Sequence, residues 1–144
     1  MKIIITGASG FIGNSVYLKL KSLSYDVVRV SRQKKDDFFY SNNYLSLPDG
    51  DVLIHLGESS NRGLVNLAGK KAYSDNQKVI RHINEKKYSK VIYGSSAAIY
   101  GDKSSNPRKE IEKIIPTDNY SKIKLFSEEM LNHSNNIILR LSNV

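Results

Sequence analysis

The sequence predicts an α/β fold built on a parallel sheet, and three observations carry that reading. Apolar, β-branched runs suited to strands recur at residues 2–6, 25–31, 51–56, 90–94 and 136–141, and those at 2–6 and 51–56 read as buried. Between them, apolar residues fall three or four apart, as on one face of a helix. At the first junction, Gly7, Gly10 and Gly13 separate strand from helix. A helix entered through such a loop turns unpaired backbone N–H groups and the positive end of its dipole towards an anion.

The first strand is KIIIT, stopped at once by Gly7. The first helix starts at Phe11 and carries Ile12, Val16, Leu20 and Leu23 on its apolar face. The G-x-x-G-x-x-G spacing, with a strand before it and a helix after, fits a pyrophosphate, because a Cβ would block both the tight turn and the close approach. Residues 25–31 (YDVVRVS) form the second strand and end in Ser31 and Arg32. In dinucleotide-binding folds an acid at this strand end suits a free ribose 2′-hydroxyl, and an arginine suits a 2′-phosphate. Arg32 leads Gln33, Lys34 and Lys35, and Asp36 and Asp37 come late, so the residues lean towards NADP, with NAD as the alternative.

Residues 36–50 are too few for a full helix and strand with their connections; they allow a short strand near 38–40 or 44–47, then a turn at 48–50. Residues 51–56 (DVLIHL) make the next buried strand, within which His55 is expected to be a hydrogen-bonded core residue. A polar stretch at 58–71 reads as a loop. The following helix places Ala72, Asn76, Val79, Ile80 and Ile83 on one face. After the strand at 90–94 comes SSAAIYG, residues 95–101, then a charged loop to Ile115 with room for a short helix. Asp118 or Asn119 can cap a helix beginning near Tyr120, whose apolar face is Leu125, Phe126, Met130 and Leu131. Residues 136–141 form the last strand.

The 144 residues suit one domain, residues 1–144, and the net charge is +8 with lysines scattered in pairs. Such pairs read as solvated surface and favour an anionic ligand; no motif supports nucleic-acid binding. The absence of cysteine removes disulfides and thiolate metal sites and makes a cytoplasmic location the expectation. No apolar run approaches membrane-spanning length.

TGASGFIG at residues 6–13 resembles the TGxxGxxG loop of the extended short-chain dehydrogenase/reductases. SSAAIYG resembles that family's SSxxVYG element, Tyr120-Ser-Lys-Ile-Lys124 has its Y-x-x-x-K form, and His55-Leu56-Gly57 resembles its "HLA" strand end, with Gly57 where alanine is usual. Within the family the likeness is to the NAD-dependent epimerase/dehydratase group. It implies a doubly wound, Rossmann-like sheet and a cofactor held by Gly7, Gly10, Phe11, Ile12, Gly13, Ser31, Arg32, Leu56, Gly57, Asn76, Tyr120 and Lys124. It also implies a nucleotide-sugar substrate, oxidised through a transient 4-keto intermediate. The family's smaller C-terminal substrate domain is absent from this stretch, and Ser142-Asn143-Val144 resembles the start of its NVYGP turn. A homo-oligomer or a partner chain that completes the site fits this reading.

The catalytic residues expected are Ser96, Tyr120 and Lys124. Four residues of helix bring Tyr120 and Lys124 to one face, and an ammonium beside a phenol, whose free pKa is about 10, favours the phenolate. Lys124 can also hold the nicotinamide ribose. Ser96, at a strand's carboxyl end, can hydrogen-bond the same substrate oxygen. Ile123 and Asn119 depart from the family's usual serine or threonine and proline. The alternative is a non-catalytic NADP(H)-binding module or subunit.

Overall fold

The computed structural model describes residues 1–101 and 106–142. Its elements are β1 (Lys2–Thr6), α1 (Phe11–Ser22), β2 (Asp26–Ser31), β3 (Phe39–Tyr40), β4 (Val52–His55), α2 (Arg62–Ala68), α3 (Lys70–Glu85), β5 (Lys90–Ser96), a 3₁₀ turn (Ala97–Tyr100), α4 (Asn119–Leu131) and β6 (Ile137–Leu141). All strands pair in parallel, in the order β3-β2-β1-β4-β5-β6, which is the doubly wound dinucleotide-binding order.

β1 lies in the middle because both of its faces are apolar. Ile4 enters one layer with Val30, Leu53, Ile80, Ile83, Val91 and Leu131, beneath α3 and α4. Ile3 and Ile5 enter the other, against Val16, Tyr17 and Leu20 of α1. Full burial of one such side chain contributes roughly 1.5–3 kcal/mol, so three in succession fix the strand's place. β6, the last strand, is one edge of the sheet, and its Ile137 and Leu139 are exposed.

Other elements also differ from the sequence reading. The stretch read as a loop at 58–71 contains α2, started by Asn61, whose side chain accepts the Leu64 N–H at 3.0 Å. Of the two places open to a short strand, 39–40 is the strand; 44–47 is a loop that sends Tyr44 and Leu47 into the core. Residues 106–118 hold turns only, and 102–105, 143 and 144 lie outside the described residues.

The expected apolar face of α4 is mostly half-buried. Its most buried positions are Tyr120, Ser121, Ile123, Lys124, Ser127, Glu128 and Leu131, a stripe in which polar groups predominate. These groups satisfy one another and their neighbours, so the helix docks through hydrogen bonds as well as through apolar area. Its start is fixed by Asp118, which accepts the Ser121 N–H at 2.8 Å and the Asn66 amide at 2.9 Å, and which pairs with Arg62. Ser121 Oγ in turn accepts the Asp118 N–H, closing a capping box. Burial pushes the Asp118 carboxyl up, but bonds from Ser121, Asn66 and Arg62 outweigh it and hold it far below the usual carboxylate range.

His55 is the buried core residue its sequence context suggests. It shares a 2.7 Å hydrogen bond with Thr6 and stacks on Tyr93, with ring centres 6.0 Å apart. Burial depresses its pKa from 6.5 to about 4, assisted by the charges of Lys124 and Arg32 and opposed by Glu58. A group depressed on folding contributes stability that is complete above its unfolded pKa and is lost as pH falls towards the folded one. Between pH 7 and pH 5 this histidine should therefore remove about 2 kcal/mol of stability. Urea titrations at the two pH values should show that loss, and His55→Asn should abolish it. Asp118→Ala should lower stability by about 1–2 kcal/mol at pH 7 in the same measurement, the cost of a lost helix cap.

Candidate functional site

The carboxyl ends of β1, β4, β5 and β6 face a cleft of about 810 Å³, the place where open α/β sheets bind ligands. One wall is the glycine loop. Gly7 has φ +70°, a left-handed conformation that favours glycine, and a Cβ there would stand 2.4 Å from the Leu56 carbonyl oxygen. A Cβ on Gly13 would stand 2.3 Å from the Gly7 carbonyl oxygen. These two glycines let β1, β4 and α1 meet at backbone distance.

Gly10 differs. It has φ −83°, and a Cβ on it would meet only the Gly7 oxygen, at 3.3 Å, with open space beyond. Gly10 is also the N-cap of α1 and supplies no side-chain cap, and the first turn carries no acid. The first-turn N–H groups of α1 therefore lack a side-chain acceptor where Gly10, Phe11, Ile12 and Gly13 line the cleft. This cradle fits a pyrophosphate.

The opposite wall carries the expected chemistry. Ser96 ends β5 and accepts the Ala98 N–H at 3.2 Å, which starts the 3₁₀ turn. Tyr120 and Lys124 reach the cleft from α4, with Lys124 Nζ 5.8 Å from the centre of the Tyr120 ring. Lys124 donates to the Gly94 carbonyl at 3.0 Å and pairs with Glu58 at 2.9 Å. An ammonium has three donors, so one is left for a ribose hydroxyl. Behind this wall, Glu128 accepts a fork from Arg140 at 2.8–3.1 Å and a hydrogen bond from Ser95, and Arg140 also donates to Tyr100. That network ties the SSAAIYG segment to α4 and β6.

The structure thus brings Gly7, Gly10, Phe11, Ile12, Gly13, Leu56, Ser96, Tyr120 and Lys124 to one cleft. Arg32, Gly57 and Asn76 line instead a second cavity of about 440 Å³, which meets the first at Glu58, Tyr120 and Lys124. Ser31 is buried, and its hydroxyl accepts the Gln33 N–H at 3.0 Å. Arg32 lies over the Tyr44 ring at 5.5 Å, and Asn76 donates to Ser127 at 2.9 Å. Glu58 escaped the sequence reading. Its one signal was a charged residue beside Gly57, just beyond a buried strand.

The arrangement has relatives. A UDP-glucose 4-epimerase of Halalkalibacterium halodurans is 28% identical over 153 residues, covering 90% of this chain and 45% of its own. The UDP-N-acetylglucosamine 4-epimerase structure from Bacillus cereus superposes with a TM-score of 0.74 at 25% identity, over 92% of this chain and 48% of that one. A UDP-glucose 4-epimerase structure shares the fold with a TM-score of 0.82 at 24% identity, over 99% and 52% of the two chains. The chain spans about half the length of the proteins it matches. The sequence model of the NAD dependent epimerase/dehydratase family covers residues 3–144, and the chain belongs to that family.

Proposed function

We propose that this chain is the dinucleotide-binding part of an NAD(P)-dependent oxidoreductase of epimerase or dehydratase type, acting on a nucleotide sugar. The observation that supports it best is the convergence of an uncapped glycine cradle with Ser96, Tyr120 and Lys124 on one cleft. Gly10, Phe11, Ile12 and Gly13 hold the pyrophosphate, and Leu56 lies along the dinucleotide. The free donor of Lys124 holds the nicotinamide ribose. When bound, the dinucleotide supplies a hydride acceptor and donor. Tyr120 takes the proton of a sugar hydroxyl as its carbon is oxidised and returns it on reduction, while Ser96 hydrogen-bonds the same oxygen. Lys124 stabilises the phenolate form that this exchange requires.

NAD is the dinucleotide named by the family; Arg32, at the end of β2, leans this member towards NADP. The relatives' remaining length is where we place most of the groups that hold the sugar. Positioning supplies roughly 7–11 kcal/mol of barrier reduction. Residues 1–144 alone should therefore bind dinucleotide and turn over nucleotide sugars poorly.

Three experiments test the reading. Gly10→Val keeps an allowed backbone and fills the cradle, so calorimetry should show a folded protein that has lost dinucleotide binding; unchanged affinity would refute the cradle. NAD and NADP titrated side by side, before and after Arg32→Ala, should show a loss of about 1.5–3 kcal/mol for NADP alone. In the form that turns over UDP-sugars, Tyr120→Phe should lower turnover at least about 10²-fold with dinucleotide affinity unchanged. Normal turnover would remove Tyr120 from the reaction, and dinucleotide binding with no turnover in any form would favour the non-catalytic module.

A further inference from the structure

Glu58 stands where the two cavities meet and lines both. Its side chain is 6% exposed and that of Lys124 8%, so the two charges face each other almost out of water. Glu58 Oε2 lies 2.9 Å from Lys124 Nζ and accepts the Tyr93 hydroxyl at 2.7 Å. Oε1 accepts the Ser127 hydroxyl at 2.7 Å, and Asn76 donates to Ser127. One strand, β5, and one helix, α4, thus bring three donors to one carboxylate. Burial pushes this carboxyl up, but the charge of Lys124, that of His55 in the acid range where it protonates, and the bonds from Tyr93 and Lys124 outweigh that and hold it below the usual range.

An opposite charge 2.9 Å from an ammonium offsets much of that ammonium's field at a phenol standing farther off. We propose that Glu58 is the positioning residue of the Tyr120–Lys124 pair, pinning the ammonium in the cleft wall and setting how much positive charge the Tyr120 phenol feels. This rests on the reading of Tyr120 and Lys124 as the proton-transfer pair. Asn76, expected from sequence beside the cofactor, serves here as the outer support of Glu58 through Ser127.

The other charged groups nearby leave Glu58 as the principal counter-charge. His55 of β4 is neutral at pH 7, with its pKa near 4, and Tyr93 of β5 is held protonated by burial and by Glu58 itself. On α3, Asp75 is exposed and bound to Lys71, and Lys78 is exposed. Arg62 of α2 is engaged by Asp118, and Arg32 is solvent-facing. Glu128 of α4 is bound in a fork by Arg140.

The test is a pH titration of the full chain without dinucleotide, following tyrosine 13Cζ and lysine 15Nζ resonances. Tyr120→Phe and Lys124→Met spectra assign the two signals. Glu58→Gln keeps the shape of the side chain and one accepting oxygen for Lys124 and Tyr93, turns the other end into a donor towards Ser127, and removes the charge. In that variant the first proton should leave the Tyr120–Lys124 pair about one to three pH units lower than in the starting protein. An unchanged or higher titration would overturn the proposal. The coupling is reciprocal, so Lys124→Met should raise the Glu58 titration, read from its 13Cδ signal, by a comparable amount. That second measurement decides the matter if the Gln variant does not fold, and an unmoved carboxyl would overturn the proposal. Neither titration needs turnover, so failure of the coupling and failure of the proposed reaction are seen separately.

Discussion

A buried ammonium must be given a counter-charge and hydrogen-bond acceptors, and the organisation of this site follows from meeting that demand for Lys124. Leaving such a charge uncompensated would cost several kcal/mol. The chain answers from three elements and one connection: a carbonyl near the end of β5, the Glu58 carboxylate after β4, the Tyr93 and Ser127 hydroxyls, and the Asn76 amide behind them. Because these groups come from α3, α4, β4's end and β5, they also hold the helix layer on the sheet. The geometry of the chemical groups and the docking of α4 are one set of interactions. This is why α4 buries a predominantly polar stripe without leaving an apolar seam.

On the other wall of the cleft, the demand is steric. β1, β4 and α1 approach until the carbonyls of Leu56 and Gly7 occupy the places of two missing side chains. The anion cradle is open because a Cβ on Gly10, between those contacts, would meet only the Gly7 oxygen, at 3.3 Å. The three glycines of the loop therefore divide their work: two close the backbone, and one leaves the gap.

Those features that depend on local pattern were legible in the sequence. The isoleucines of β1, the glycine spacing and the four-residue step from Tyr120 to Lys124 each state a geometry without reference to distant residues. His55 was legible as core because a histidine inside an apolar strand has few other options. α2 was not, since its seven residues form a short helix begun by an Asn61 cap in an otherwise polar stretch. Glu58 was not legible either. Its role exists only after folding brings Tyr93, Lys124 and Ser127 around it, up to 69 residues away in the chain. The destination of Asn76 was missed for the same reason: one face of a helix can be read from spacing, but not which neighbour that face meets.

The short connection between β3 and β4 has a structural partner at a distance. Tyr44 is buried with φ +57°, an uncommon conformation for a bulky residue, and sits edge-on to His55 with ring centres 6.2 Å apart. A Cβ at position 57 would fall 2.5 Å from its ring. The ring that fills the gap left by the trimmed connection therefore occupies the space of the methyl that alanine would bring to the strand end. Positions 44 and 57 are thereby coupled sterically: the ring at one and a methyl at the other claim the same space. Alanine at 57 would force the Tyr44 ring to shift from its place against His55, so the packing of the layer beneath α3 depends on a residue that carries no side chain.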